Sequence, residues 1–183
     1  MEHSFPCGNT ALDFVGTLKA RRNDVPREAL RAPASLQSWL RESGVVDGDT
    51  ECGPGDVTTA IALREAIYSL VAARLFGGEY DAEQMDVLND VARGPAAIPQ
   101  LTAAGRRTEA TADQALSSIA REAIAILGGT DAELLKECGR PECTQVYLDR
   151  SRGSRREWCA METCGNKMKA RAYRARKRSE TTA

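Results

Sequence analysis

The sequence predicts a mainly α fold. A helical N-terminal domain with a small β-hairpin precedes a small treble-clef-like zinc module built from a β-hairpin and a helix. Three observations predict it. Apolar residues recur at helical spacing through residues 1–137, with capping residues and glycine stops between the runs. Four of the six cysteines fall in two C-x4-C pairs, Cys138/Cys143 and Cys159/Cys164, with fifteen residues between the pairs. The charge divides at the same place. Residues 1–137 hold 13 basic and 21 acidic side chains, a balance of −8, and residues 138–183 hold 12 and 5, a balance of +7.

In chain order, a short helix is expected near 9–20, opened by the cap candidates Asn9 and Thr10. Ser35 is expected to cap a second helix that turns Leu36, Trp39 and Leu40 toward the core. The clearest helix spans about 56–76, between Asp56 as cap and Gly77-Gly78 as stop, with Val57, Ile61, Ala62, Ile67, Leu70, Val71 and Leu75 on a broad apolar face. Asp81 starts another through about Val91, before RGPAAIP breaks it. IPQLTAAGRRTEA has room for two short strands. A long helix near 112–127 ends at Gly128-Gly129. The expected units are therefore a helical domain over 1–130, a link near 128–137, a four-cysteine module over 136–178 and a disordered tail over 179–183.

Paired cysteines in a chain without a secretory h-region point to metal rather than disulfides. Zinc takes four tetrahedral ligands, and four thiolates leave no open position for water or substrate, so Cys138, Cys143, Cys159 and Cys164 are expected to hold structural Zn2+. Spacing alone does not separate zinc from an iron–sulfur cluster. Within the fifteen-residue spacer, TQVYLD reads as a strand, RSRGSR as a turn and REWC as the returning strand. Some 41 residues bury too little apolar surface to fold unaided, and ligation worth on the order of 10 kcal/mol closes that gap.

From Gly165 the chain reads GNKMKARAYRARKR, rich in good helix formers and without proline. On a helix, Lys167, Arg171, Arg174 and Arg178 form one basic stripe, while Met168, Ala172 and Ala175 form an apolar stripe expected to lie on the hairpin. Tyr173 is expected to pack there too, and Trp158 in the core. Arg155 and Arg156 belong to a second basic cluster in the turn. These six cations are the expected contacts to nucleic acid, DNA before RNA, because cations that displace phosphate counterions gain free energy from salt release. The alternative partner is an acidic protein surface, in this chain or another, which leaves a homodimer open.

Other functions have little to stand on. His3 is the only histidine, no nucleophile–base pair can be named, and no enzyme is expected. No apolar run approaches the roughly 18 residues of a membrane span, so the expected address is the cytoplasm, with no membrane partner. Asp13 interrupts the apolar run ALDFV. It is either a buried partner for a cation such as Arg64 or a polar face residue, and a pocket near these two is the expected site for a small-molecule effector.

WCAMETCGNK, together with CGRPECTQVYLDRSRGSRREWC, resembles the CGNR zinc-finger family over about residues 136–178. Ligand spacing, hairpin and terminal helix agree together. Lys167 stands where the family's name gives Arg, which keeps the charge and loses the bidentate fork. FPCGNTALDFVGTL and ALREAIYSL resemble the helical ABATE domain that accompanies such fingers, with Gly16 in place of the usual Asn. The resemblance implies a stress-induced bacterial transcription regulator whose finger contacts DNA.

Overall fold

Helix α1 covers Thr10–Val15 in the computed structural model, which describes residues 3–181, with side chains through Arg178. Asn9 caps it by accepting from Leu12 N (3.2 Å), and five of its six residues are buried. The chain leaves α1 at Gly16 and makes a two-stranded antiparallel ribbon, β1 (Leu18–Lys19) with β2 (Arg27–Glu28), so the first helix is shorter than the expected 9–20. Helix α2 (Pro33–Glu42) starts two residues before Ser35. Pro33 suits the first helical turn, where a missing N–H is no loss. Ser35 Oγ instead reaches back, accepting from Ala32 N (3.0 Å) and donating to Ala32 O (2.7 Å). Leu36, Trp39 and Leu40 are buried as expected.

Helix α3 (Pro54–Phe76) is the longest element. Pro54 opens it and Asp56 accepts from Gly53 N (2.7 Å), so Asp56 supports the N-terminus from inside rather than capping from outside. It stops at Gly77, whose φ of 73° is left-handed and open to glycine at no steric cost. Its buried face comprises Ala60, Leu63, Arg64, Ala66, Ile67, Leu70 and Val71. Ala62 is exposed and Ile61, Val57 and Leu75 only half-buried, so the face is rotated toward Leu63 from the expected one. Asp81 caps α4 (Ala82–Arg93), the strands β3 (Gln100–Thr102) and β4 (Gly105–Arg107) pair as a hairpin, and Thr111 caps α5 (Ala112–Leu127).

Helices α3, α4 and α5 pack on one another, and α1 lies against α3 and α5. Trp39 is buried edge-on to Phe14 (ring centroids 5.0 Å) and near Phe5 (5.9 Å), joining α2 to α1. Among the described residues no helix is long and apolar enough to cross a membrane.

After α5 a 3-10 turn at Thr130–Leu134 runs directly into β5 (Leu135–Glu137), which pairs antiparallel with β6 (Val146–Leu148). The module's hairpin therefore lies one strand upstream of its expected place. TQVYLD does form a strand, but its partner is Leu135-Lys136-Glu137, and REWC is not a strand. A π-helical turn at Met161–Gly165 leads into α6 (Asn166–Thr181). The helix continues three residues into the expected disordered tail, and residues 182–183 lie outside the described residues.

The segment 128–137 is not a tether. Leu135, Cys138, Val146, Tyr147, Leu148, Cys159 and Cys164 share one hydrophobic cluster with α1, α3 and α5. Polar contacts add to this seam: Arg22 holds Glu137 with two bonds (2.5 and 2.7 Å), and Gln145 Nε2 donates to Cys7 Sγ (3.0 Å). Gly16 is what lets Gln145 in, since a Cβ there would overlap the Gln145 amide. A residue with a side chain at 16 would have to displace it.

Candidate metal centre and basic surface

The hairpin carries the first cysteine pair. Cys138 follows β5 directly, its N–H bonded to Gln145 O (2.9 Å), and the chain doubles back through Cys143, whose N–H bonds to Arg140 O (2.8 Å). Gly139 N bonds to Glu157 O (2.8 Å), which draws the Cys159 segment alongside, and the π-helical turn delivers Cys164 at the foot of α6. The four sulfurs all lie within 4.8 Å of one another. Cys143 Sγ is 3.9 Å from Cys159 Sγ, and Cys159 Sγ is 3.6 Å from Cys164 Sγ. A tetrahedron with Zn–S bonds of about 2.3 Å has edges of about 3.8 Å, so this spacing surrounds one ion and leaves no room for several irons.

The chemistry of the donor set agrees. All six cysteines are free thiols, and three of the four ligands are buried. Left to themselves the sulfurs divide one another's protons. Hydrogen bonds from the Cys143 and Cys159 thiols hold Cys138 far below the usual thiol range. Hydrogen bonding to Cys138 pushes Cys143 up to about 12, and its bonds to Cys138 and Cys143 push Cys159 up further. Four clustered sulfurs cannot all ionise beside one another without a cation, and a dication removes the conflict. The residues fit structural zinc: Cys138, Cys143, Cys159 and Cys164 hold it, and a closed thiolate set supplies rigidity rather than reactivity.

A second layer fixes the turn between the ligand pairs. Asp149 is buried and accepts from Lys136 Nζ (2.7 Å), Ser151 Oγ (2.6 Å), Ser151 N (2.9 Å) and Arg156 N (3.1 Å). Burial opposes its ionisation, but the bonds from Lys136 and Ser151 outweigh that and hold the carboxyl well below the usual range. Sequence reasoning missed Asp149 as a centre of this turn. The signal was present, because Asp-x-Ser after a strand is an Asx-turn pattern.

Of the expected nucleic-acid contacts, Arg156 is placed elsewhere. Its guanidinium lies over the Tyr147 ring (4.2 Å to the centroid), and Nε donates to Trp158 O (2.9 Å). Nη2 donates to Pro6 O (2.8 Å) and, by a short bond, to Cys159 O. A planar fork in a carbonyl cage beside a metal ligand is a clamp and is not offered to a phosphate. Arg155 is exposed in the turn, and Lys167, Arg171, Arg174 and Arg178 are exposed along α6. Arg171 lies 3.7 Å from Glu142, a pair open to solvent on both sides.

Helix α6 packs chiefly against the π-helical turn below it. The apolar stripe is therefore not covered by the hairpin: Ala172 and Ala175 are exposed, and only Met168 is half-buried. Tyr173 is likewise 59% exposed rather than packed. Trp158 is half-buried against the core, as expected.

Asp13 and Arg64 are both buried but do not pair. Arg64 is bound to Glu28 (2.6 Å) and to Glu65 (2.8 Å). Asp13 Oδ1 instead accepts from Cys7 N (2.9 Å), and burial pushes its carboxyl up to about 6 although that bond opposes the shift. Arg64 is drawn to β2 because its own helix neighbour Glu65 and the ribbon's Glu28 are nearer carboxylates. A cavity of about 500 Å3 lies between α1, α2 and the ribbon, lined by Asp13, Thr17, Lys19, Glu28 and Trp39 among others. Asp13 lines this cavity; Arg64 does not, and its partner Glu28 does.

Two family models match the chain, one over each part. Residues 8–130 match the ABATE family, described as "Putative stress-induced transcription regulator", and residues 135–177 match the CGNR zinc finger. No curated protein matches the chain. The first match alone spans more than half of the sequence, and the second falls on the hairpin, the four sulfurs and α6. The chain belongs to the ABATE family and carries a CGNR zinc finger that holds structural zinc.

Proposed function

We propose that this protein is a cytoplasmic transcription regulator that contacts DNA through the zinc-pinned end of the chain. The observation that carries the reading is the placement of α6. Sixteen residues, about 24 Å of helix, stand on the metal site with every residue from Arg171 to Arg178 exposed. Lys167 and Arg174 have no carboxylate partner among the described residues. An exposed cation stripe is suited to a phosphate backbone, and a rigid helix can enter a major groove. Tyr173, exposed on the same helix, is available for stacking.

In this reading the N-terminal domain is the sensor. The cavity at Asp13 offers an acid, a lysine and an aromatic wall to a small molecule. Because the finger shares a core with that domain, filling the cavity bears on α1 and through Gly16 and Gln145 on the first cysteine pair.

The test is binding of the zinc-loaded chain to labelled duplex DNA and to RNA over a salt series. Five of the six expected contacts are exposed once Arg156 is excluded, so a log–log salt slope of about −4.5 is expected for duplex DNA. Absence of binding to either nucleic acid at about 50 mM salt, where such contacts are strong, overturns the reading. Thermal shift against a metabolite panel tests the sensor, and no stabilisation by any compound would remove it.

A further inference from the structure

A second basic site lies where the two halves of the chain meet. A cleft of about 220 Å3 is lined by Lys19 and Arg27 of the ribbon, by Arg140 and Lys167 of the zinc module, and by three of the metal-binding cysteines. Its single carboxylate is Glu142, already shared between Arg140 (3.4 Å) and Arg171 (3.7 Å). Lys19 bonds only to the Ser4 hydroxyl (3.3 Å), and Arg27 and Lys167 have no carboxylate partner among the described residues. Arg140 Nε, the atom in that 3.4 Å ion pair, is buried and makes no hydrogen bond among the described residues.

We propose that this junction cleft binds a phosphate group. The charge balance supports one anion. Zinc with four thiolates carries two negative charges and Glu142 one more, so the four cations leave a single positive charge uncompensated. One phosphodiester neutralises it. The donors also suit the ligand: Arg140 offers a guanidinium, while Lys19 of the ribbon and Lys167 of the zinc module offer point charges. The ribbon thus extends the basic surface of α6 onto the N-terminal domain, and any phosphate held there ties the two halves together. The inference rests on the nucleic-acid reading only for what carries the phosphate, a backbone rather than a free ion.

The test compares the full zinc-loaded chain with the double variant Lys19→Gln/Arg27→Gln, and with Arg174→Gln as a cation outside the cleft. Inorganic phosphate replacing chloride at constant ionic strength should raise the melting temperature of the wild type and of Arg174→Gln by a few degrees more than that of the double variant, which keeps only the general stabilisation by an excluded anion. On duplex DNA the double variant should bind about 8-fold more weakly at 0.1 M salt, with a salt slope shallower by about 1. An extra phosphate response confined to chains with Lys19 and Arg27, but no DNA binding by any of them, keeps the cleft and assigns it to free phosphate. A phosphate response in the double variant equal to that of the wild type overturns the inference, whether or not the wild type binds DNA. So does loss of zinc from the double variant, which would make these cations counter-charges to the thiolates.

Discussion

Replacing Arg156 with glutamine separates a clamp from a DNA contact. The guanidinium joins three carbonyls, those of Pro6, Trp158 and Cys159, and lies 4.2 Å from the Tyr147 ring centre. Hydrogen bonds from a charged donor contribute about 1.5–3 kcal/mol each and the ring contact about 0.5–1. The site is half-buried, so water can replace part of what is lost and the terms do not add. A net loss of about 2–4 kcal/mol is the reasonable total. In a chain of this size that lowers the melting temperature by about 5–15 °C. Urea unfolding of zinc-loaded protein should show the midpoint fall with an unchanged m-value. Arg156→Lys should recover little, because one ammonium cannot span three acceptors around a ring. A wild-type midpoint in Arg156→Gln together with weakened DNA binding would refute the clamp and return Arg156 to the nucleic-acid surface.

Three further outcomes are expected. Asp13 has a native pKa of about 6 against roughly 4 unfolded, so the native state holds the extra proton between those values and the carboxyl destabilises the fold as pH rises through them. Asp13→Asn should therefore gain about 2–3 kcal/mol relative to wild type between pH 4 and 7, read by urea midpoints at matched zinc content, and a constant difference across that range would contradict it. Asp149 has the opposite sign, since its depressed carboxyl stabilises the fold above about pH 4 and loses that as pH falls. Asp149→Ala should thus cost about 3 kcal/mol at pH 7 by removing the carboxylate on which Lys136 and three other donors converge, with hydrogen exchange rising first in residues 149–156. Arg171→Gln/Arg174→Gln should reduce the DNA salt slope by about 2 and leave stability within about 0.5 kcal/mol, since both side chains are exposed.

Elements with local signals were legible in the sequence. The starts led by Asn9 and Asp81, the left-handed stop at Gly77 and the short hairpin at 100–107 all follow from cap and turn chemistry within a few residues. The four sulfurs were legible because ligand spacing is a strong constraint. What depended on distant partners was not. Leu135-Lys136-Glu137 has no β-branched residue, and it becomes a strand because Leu135 enters the shared core and Lys136 meets Asp149. Arg156 is one arginine of a basic run, and nothing local says that it turns inward onto Tyr147. Of the two readings open for Asp13, the pairing with Arg64 does not form, because Arg64 meets Glu28 on a ribbon that has no local signal in the sequence. The apolar residues of α6 formed a correct stripe with no surface to meet.

The joint between domain and finger follows from the same long-range contacts. Cys7, Gly16 and Gln145 bring the start of the chain, the end of α1 and the first knuckle together, so metal loss should not melt the finger alone. Chelation is expected to lower the stability of the whole chain, with α1 and β6 losing hydrogen-exchange protection together.

X-ray absorption at the zinc edge, with metal content measured on the same sample, bears most directly on the four-sulfur site. One zinc per chain with four sulfurs at about 2.3 Å and no nitrogen or oxygen neighbour is the expected result. Fewer sulfurs, a mixed shell or a multi-iron signal would contradict it, and α6 would lose the anchor that presents its arginines.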